Sequence, residues 1–155
     1  MTSKDKIGYK SKLLQNCIDI IKNRIEVTQL AIQNAQIAAN SEEKSSAGDK
    51  YETSRAMSHL EKDMHSKQLA ATRQELEHLM ETDCTILHNV GAKGSLVQCE
   101  NTAFFISAGI GKIVFEEKEV YIISPVAPLA KILLNKKAGE QIIFNKTSLE
   151  IIDIY

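Results

Sequence analysis

The sequence predicts an α+β protein in which a long antiparallel helical hairpin precedes a small antiparallel β-sheet packed with one helix. Helix breakers are concentrated in the second half of the 155-residue chain, which holds both prolines and five of the seven glycines. The first half repeats apolar residues at heptad spacing, and the second half alternates β-rich runs with turns. We therefore expect a coiled-coil domain over residues 1–82 and a second domain over residues 83–155.

The first predicted helix carries apolar or small residues at alternating spacings of four and three. This pattern is typical of a coiled-coil seam, whose side chains shrink here toward Ala39. The seam consists of Leu14, Ile18, Ile21, Ile25, Thr28, Ile32, Ala35 and Ala39.

A second helix is expected from about Asp49 to about Thr82, after a polar segment that ends in Gly48. A reversal within residues 40–48 gives two arms of about 30–36 residues, or roughly 45–55 Å at the helical rise. One continuous helix or a dimeric coiled coil is the alternative. The apolar residues expected to face the first helix are Met57, Leu60, Met64, Leu69, Leu76 and Leu79.

Pairing the arms about residue 45 places Leu14 opposite Leu76, Ile21 opposite Leu69 and Leu30 opposite Leu60. The same register brings a basic set of residues near an acidic set at the base of the hairpin. The basic set is Lys4, Lys6, Lys10 and Lys12, and the acidic set is Glu75, Glu77 and Glu81.

The second half is predicted to form six short strands around one helix that begins with Pro128 at its first turn. The strands are expected at residues 95–99, 103–107, 112–115, 120–124, 141–144 and 149–154, and the helix at 128–134.

Composition excludes several classes of function. The net charge of -1 is unlike that of a dedicated nucleic-acid binder, which usually carries a basic surplus. The three cysteines form no paired motif, and the four histidines lack ligand spacing, so we expect reduced thiols and no cofactor of the protein's own. Residues 1–12 are polar and Lys-rich, without the pattern of a signal peptide or membrane span. We expect a cytoplasmic monomer that does not bind membranes.

Asp49 and Glu52 are the candidate catalytic and metal-binding residues. Their spacing places both carboxylates on one face at the start of the second helix. Two carboxylates can hold Mg²⁺ when a partner supplies the remaining ligands. The alternative is structural, because Ser46 and Asp49 have the spacing of a capping box and acids favour helix N-termini.

Three segments together resemble the Gre transcript-cleavage factors. Residues 48–52 (Gly-Asp-Lys-Tyr-Glu) match the family's G-D-x-x-E tip, and residues 127–140, which contain Pro128-Leu129-Ala130, follow its S-P-L-A-R-A-L-L-G-K-x-x-G-D-E segment. Residues 149–154 are similar to its Y-E-I-x-x-I ending. The resemblance covers most of the chain.

The resemblance implies an FKBP-like second domain and a hairpin that enters the secondary channel of bacterial RNA polymerase. It implies that Asp49 and Glu52 share the second Mg²⁺ of the polymerase active site, where the polymerase cleaves backtracked nascent RNA. The turn at Pro128 is then near the contact with the polymerase. The protein would thus be an accessory factor and not itself an enzyme. Two alternatives remain open. One is a channel-binding regulator without cleavage activity, which a basic Lys50 between the acids favours; the other is a coiled-coil adaptor with an unrelated partner.

Overall fold

The computed structural model describes residues 1–43 and 49–155. Two long helices, α1 (Ser3–Glu43) and α2 (Asp49–Met80), pack together and are followed by two sheets and one short helix. The predicted α+β class is therefore confirmed. The sequence predicted a turn within residues 40–48. Helix α1 continues to Glu43, so residues 40–43 of this range are helical. Residues 44–48 lie outside the described part of the chain.

The chain folds as two compact units. Unit 1 comprises Met1–Asp19 together with Glu75–Tyr155, and unit 2 comprises Ile20–Gln74. The boundary expected between residues 82 and 83 stays a prediction.

In unit 2, the α1 seam lies where the heptad pattern places it. Ile21, Thr28, Ala35 and Ala39 are buried, and the intervening Ile25 is half-buried. Thr28 is tolerated at this position because its hydroxyl donates a hydrogen bond of 2.9 Å to the carbonyl oxygen of Arg24 one turn earlier.

The face that α2 turns inward in unit 2 differs from the prediction. Met57, Leu60 and Met64, which were expected to pack on α1, are exposed. The half-buried positions lie on a neighbouring face of the helix, with heptad spacing from Ser58 onward, and most are polar. They are Ser54, Ser58, Lys62, His65, Leu69 and Thr72.

The register of unit 2 also differs. In the predicted register Thr28 lies at the level of Lys62, but it shares a cleft with Gln68 and Thr72. Lys62 Nζ instead donates a hydrogen bond of 2.6 Å to Gln36 Oε1. The helices are antiparallel as predicted, displaced by roughly two helical turns along each other. The predicted Leu30–Leu60 pair is wrong, since both side chains are exposed.

Unit 1 contains a five-stranded sheet in the order β3-β4-β2-β1-β7 and a separate hairpin of β5 and β6. The chain passes from β2 to the edge strand β3 and returns as β4, so β2 and β4 pair in parallel, with Phe104 beside Tyr121. The all-antiparallel sheet that we expected is therefore wrong at this pair. The strands are β1 (Leu96–Gln98), β2 (Thr102–Ile106), β3 (Gly111–Phe115), β4 (Lys118–Ile123), β5 (Gln141–Phe144), β6 (Thr147–Glu150) and β7 (Asp153–Ile154).

The core of unit 1 lies between the sheet and the short helix α3 (Pro128–Leu133). Ala130 and Leu133 of α3 are fully buried against it. The rings of Phe104, Tyr121 and Phe144 are neighbours, with centroids 5.0–5.6 Å apart. Phe104 and Tyr121 are stacked, and Phe144 meets both rings edge-to-face. Such contacts stabilise a core beyond the area they bury.

Within unit 1, the ends of the two long helices make polar contacts with a sheet strand and with loops next to the sheet. Glu75 Oε2 accepts a hydrogen bond of 2.7 Å from the Gly109 backbone N–H. Lys6 forms an ion pair of 2.9 Å with Asp153, and Glu81 lies 3.8 Å from Lys93. Lys6, Glu75 and Glu81 thus contact residues other than the predicted lysine and glutamate partners. The predicted proximity of the lysines and glutamates stays a prediction.

Candidate functional site

The acidic pair lies at the beginning of α2. Asp49 is the first residue of the helix and Glu52 follows three residues later, so the backbone places both on one helical face. The Glu52 side chain is exposed. The side chain of Asp49 and the capping segment that begins at Ser46 lie outside the described residues. An exposed carboxylate on a helix end can take part in a metal site that another molecule completes.

The capping alternative has a counterpart at the start of α1. Thr2 and Asp5 have the spacing of Ser46 and Asp49, and they bond reciprocally. The Asp5 N–H donates to Thr2 Oγ1 at 3.1 Å, and the Thr2 N–H donates to Asp5 Oδ2 at 2.9 Å. These hydrogen bonds lower the pKa of the Asp5 carboxyl. The chain therefore uses a threonine–aspartate capping box at one helix start.

Pro128 begins α3 and is exposed. Ala127 precedes it in an extended conformation and makes no side-chain cap hydrogen bond, so the proline ring itself favours the helix start. Val126 is 78% exposed, and Ile132, one turn after Pro128, is 45% exposed. Val126, in the turn before α3, and Pro128 and Ile132, on α3, form an apolar strip, here called the α3 edge, and the other side of this helix is buried. A strip of this kind is typical of a contact surface.

The three cysteines are buried and unbridged. Burial raises the pKa of the Cys17 thiol to about 12 and also raises the pKa values of the Cys84 and Cys99 thiols. A thiol needs its thiolate form to act as a nucleophile or metal ligand. These cysteines therefore pack as small apolar residues near neutral pH.

Lys10, which the sequence predicted only as one of four basic residues near the glutamates, is a buried polar residue. Its side chain is 0% exposed, and Nζ donates a hydrogen bond of 3.0 Å to the carbonyl oxygen of Ile86. Burial lowers the pKa of the Lys10 ammonium. The available sequence signal was its position one turn before Leu14 of the seam. Periodicity alone treats such a lysine as a solvated charge.

Among residues 1–43 and 49–155, no group of three potential metal-ligating side chains lies close enough together to hold an ion. A comparison of this chain with protein-family models, with curated proteins and with solved structures found no match in any of the three. Within the described part of the chain, no helix combines the length and apolar character that crossing a membrane requires. The resemblance to the Gre factors, predicted from the sequence motifs, therefore stays a prediction.

Proposed function

We propose that this protein is a Gre-like accessory factor of bacterial RNA polymerase that promotes cleavage of backtracked RNA in the cytoplasm. The observation that carries the proposal is the placement of Asp49 and Glu52 on one face at the first turn of α2. In unit 2, α2 packs on α1, so the acids belong to a two-helix element. Such an element suits a task that is carried out inside a channel of another protein.

The chemistry assigned to the acids is that of a shared metal site. The two carboxylates would contribute oxygen ligands to a second Mg²⁺ whose remaining ligands come from the polymerase and RNA. Bound there, the ion would lower the pKa of a water molecule and stabilise charge on the phosphate. The hydrolysis itself belongs to the polymerase.

The α3 edge is the proposed docking surface on the polymerase. Support comes from the exposure of Val126, just before α3, and of Pro128 and Ile132 on α3. Ala130 and Leu133 fix this helix to the core. A contact surface on a rigid element loses little conformational freedom when it binds. Contact through both the hairpin and this edge would give the protein two attachment points.

The test is RNA cleavage by backtracked elongation complexes, measured together with polymerase binding. The double change Asp49→Asn with Glu52→Gln keeps side chains that can cap a helix and removes their negative charge. We expect parental binding and cleavage reduced by at least about tenfold, since a shared metal needs the charge. Glu77→Gln is the matched control, because it removes one exposed acid from the other end of α2.

Three outcomes separate the alternatives. Binding with charge-dependent cleavage supports the cleavage factor. Binding without cleavage over a Mg²⁺ titration supports the channel-binding regulator, and Lys50→Leu should then be tested for restored cleavage. Failure of the full chain to associate with core polymerase at micromolar concentration supports a coiled-coil adaptor and contradicts the proposal.

A further inference from the structure

The strand β3 is the outermost strand of the five-stranded sheet in unit 1. It pairs with β4 on one side, and no strand of the described chain pairs with it on the other. An edge of this kind offers backbone donors and acceptors to another chain. The side chains of Lys112, Val114 and Glu116 are exposed along it, and Val114 is 68% exposed although it is apolar. The β3 edge is therefore a place where an additional strand can pair with unit 1.

The register of the β3–β4 hairpin determines which backbone groups of β3 point outward. Glu116 and Glu117 both have positive φ, as the two central residues of a type I′ turn do. Phe115 and Lys118 therefore form the hydrogen-bonded pair that closes the hairpin. Hydrogen-bonded and non-hydrogen-bonded pairs alternate along an antiparallel ladder. The N–H and C=O groups of Val114, the next residue of β3, therefore point away from β4.

The side chains of β3 are complementary to those of a second β3 strand that runs in the opposite direction. With a two-fold axis at Val114, this residue lies beside Val114 of the other copy. Ile113 then faces Phe115 of the other copy, and pairs of a β-branched and an aromatic residue favour strand pairing. Lys112 faces Glu116, which has the opposite charge. All three kinds of pair in this register are therefore favourable.

We propose that β3 pairs with β3 of a second copy of this chain, in an antiparallel two-fold dimer whose axis passes through Val114. The outward N–H of each Val114 donates to the outward carbonyl oxygen of the other, so the sheets of both copies form one continuous sheet. A two-fold contact uses the same surface on both partners, and β3 has no edge left for a third copy. The dimer departs from the monomer expected from the sequence and does not depend on the polymerase function.

Lys112 does not protect the β3 edge in the way that a lysine on an edge strand usually does. Its charge is balanced within its own chain, because Nζ lies 3.2 Å from Glu119 Oε1. The hydrogen bond to Glu119 raises the pKa of the Lys112 ammonium. In the antiparallel pair Lys112 also meets Glu116 of the other copy, whereas a parallel pair would bring the two lysines together. Charge therefore favours the antiparallel direction.

A neighbouring register, with the axis at Ile113, would place Val114 beside Lys112 of the other copy. An apolar side chain then faces an ammonium group, and Glu116 loses its oppositely charged partner. The side chains therefore favour the axis at Val114. The two registers respond in opposite ways to Val114→Glu. With the axis at Val114 two carboxylates meet, and with the axis at Ile113 each carboxylate meets a lysine.

Sedimentation velocity of the full chain from micromolar to millimolar concentration tests the proposal. A contact through one pair of strands is small, so we expect a dissociation constant on the order of 100 µM. Val114→Glu and Val114→Lys should each raise it by at least about tenfold, because like charges meet at the axis. An equimolar mixture of the two variants should associate as tightly as the parent, since Glu then faces Lys. Ile143→Glu is the matched control, because Ile143 on β5 is 70% exposed.

Val114→Pro tests the backbone contact separately. Proline is tolerated on an edge strand where the N–H faces solvent, so circular dichroism should show a parental fold. The outward N–H is removed, and we expect the dimer to be lost. A parent that stays monomeric up to millimolar concentration overturns the proposal, as does a dimer that Val114→Pro leaves unchanged. A tighter dimer of Val114→Glu, or a mixture that associates no better than either variant alone, overturns the axis at Val114.

Discussion

The side-chain nitrogen of Lys10 donates a hydrogen bond of 3.0 Å to the backbone oxygen of Ile86 and so joins α1 to the segment that follows α2. The lysine is 0% exposed. An ammonium in such a site loses hydration, and this loss lowers the pKa of Lys10. A structural contact within unit 1 thus depends on a residue that is usually found in solvent.

Removal of the Lys10 side chain should destabilise the protein. Lys10→Ala leaves a cavity and an unbonded Ile86 carbonyl, so we expect the free energy of unfolding to fall by about 2–4 kcal/mol. Lys10→Met keeps most of the volume and removes the buried charge, so its loss should be smaller. Urea unfolding followed by circular dichroism measures both. Lys12→Met, at an exposed position of the same helix, should change stability by less than about 0.5 kcal/mol.

The effect of Lys10→Met on the free energy of unfolding should depend on pH. The pKa of Lys10 in the folded protein lies below 10.5, its ordinary value, so the unfolded chain binds the proton more tightly. The parent protein therefore gains stability from Lys10 as the pH rises from the folded-state pKa to 10.5. The uncharged side chain of the variant cannot contribute this gain. The stability of the variant relative to the parent should therefore fall between neutral pH and pH 10.5. Comparing the two proteins at each pH cancels the opposite contribution of Cys17, whose pKa is raised to about 12. A pH-independent difference would contradict the assignment.

Gly91 should not tolerate a side chain. A Cβ atom there would lie 1.9 Å from the carbonyl oxygen of Leu133, a backbone atom that cannot rotate away. Gly91 is also held by its own N–H, which donates to Lys136 O at 2.9 Å. We expect Gly91→Ala to lower the free energy of unfolding by about 2–3 kcal/mol. Gly8→Ala is the opposite control, because no neighbouring atom lies within 4 Å of a Cβ added there. Since alanine favours a helix more than glycine does, this change should raise the free energy of unfolding by about 0.5–1 kcal/mol. Thermal unfolding should rank Gly8→Ala above the parent and Gly91→Ala below it.

Two aspartate substitutions on α1 should have very different effects on helix content. Ile21 is 1% exposed in the seam, so Ile21→Asp buries an unpaired carboxylate and should unfold much of unit 2 near neutral pH. Leu30→Asp introduces the same charge at an exposed position of the same helix and should retain the parental helix content. Helix content from circular dichroism at low protein concentration measures both. Equal losses would mean that the assignment of the seam is wrong.

Much of the fold could be predicted from the spacing of apolar residues and from the residues typical of turns. The α1 seam from Ile21 to Ala39, the β5 strand and the helix that begins at Pro128 all lie where the sequence placed them. These elements depend on neighbours close in sequence, such as an apolar residue one turn away or a proline at the first helical position. The starting position of α2 at Asp49 was predicted for the same reason.

The sequence by itself determined the class of the fold, the α1 seam and the spacing of Asp49 and Glu52. Only the tertiary structure decided which face of α2 meets α1, how the helices align, and that β2 and β4 run parallel. The physical reason is that a heptad repeat relates residues to their own helix axis and not to a neighbouring helix. The apolar residues of α2 are divided between two stripes, with Met57, Leu60 and Met64 on one and Leu69, Leu76 and Leu79 on the other, so their pattern did not show which stripe meets α1. Packing against α1 turned the stripe containing Leu69 and Thr72 inward and left Met57, Leu60 and Met64 exposed.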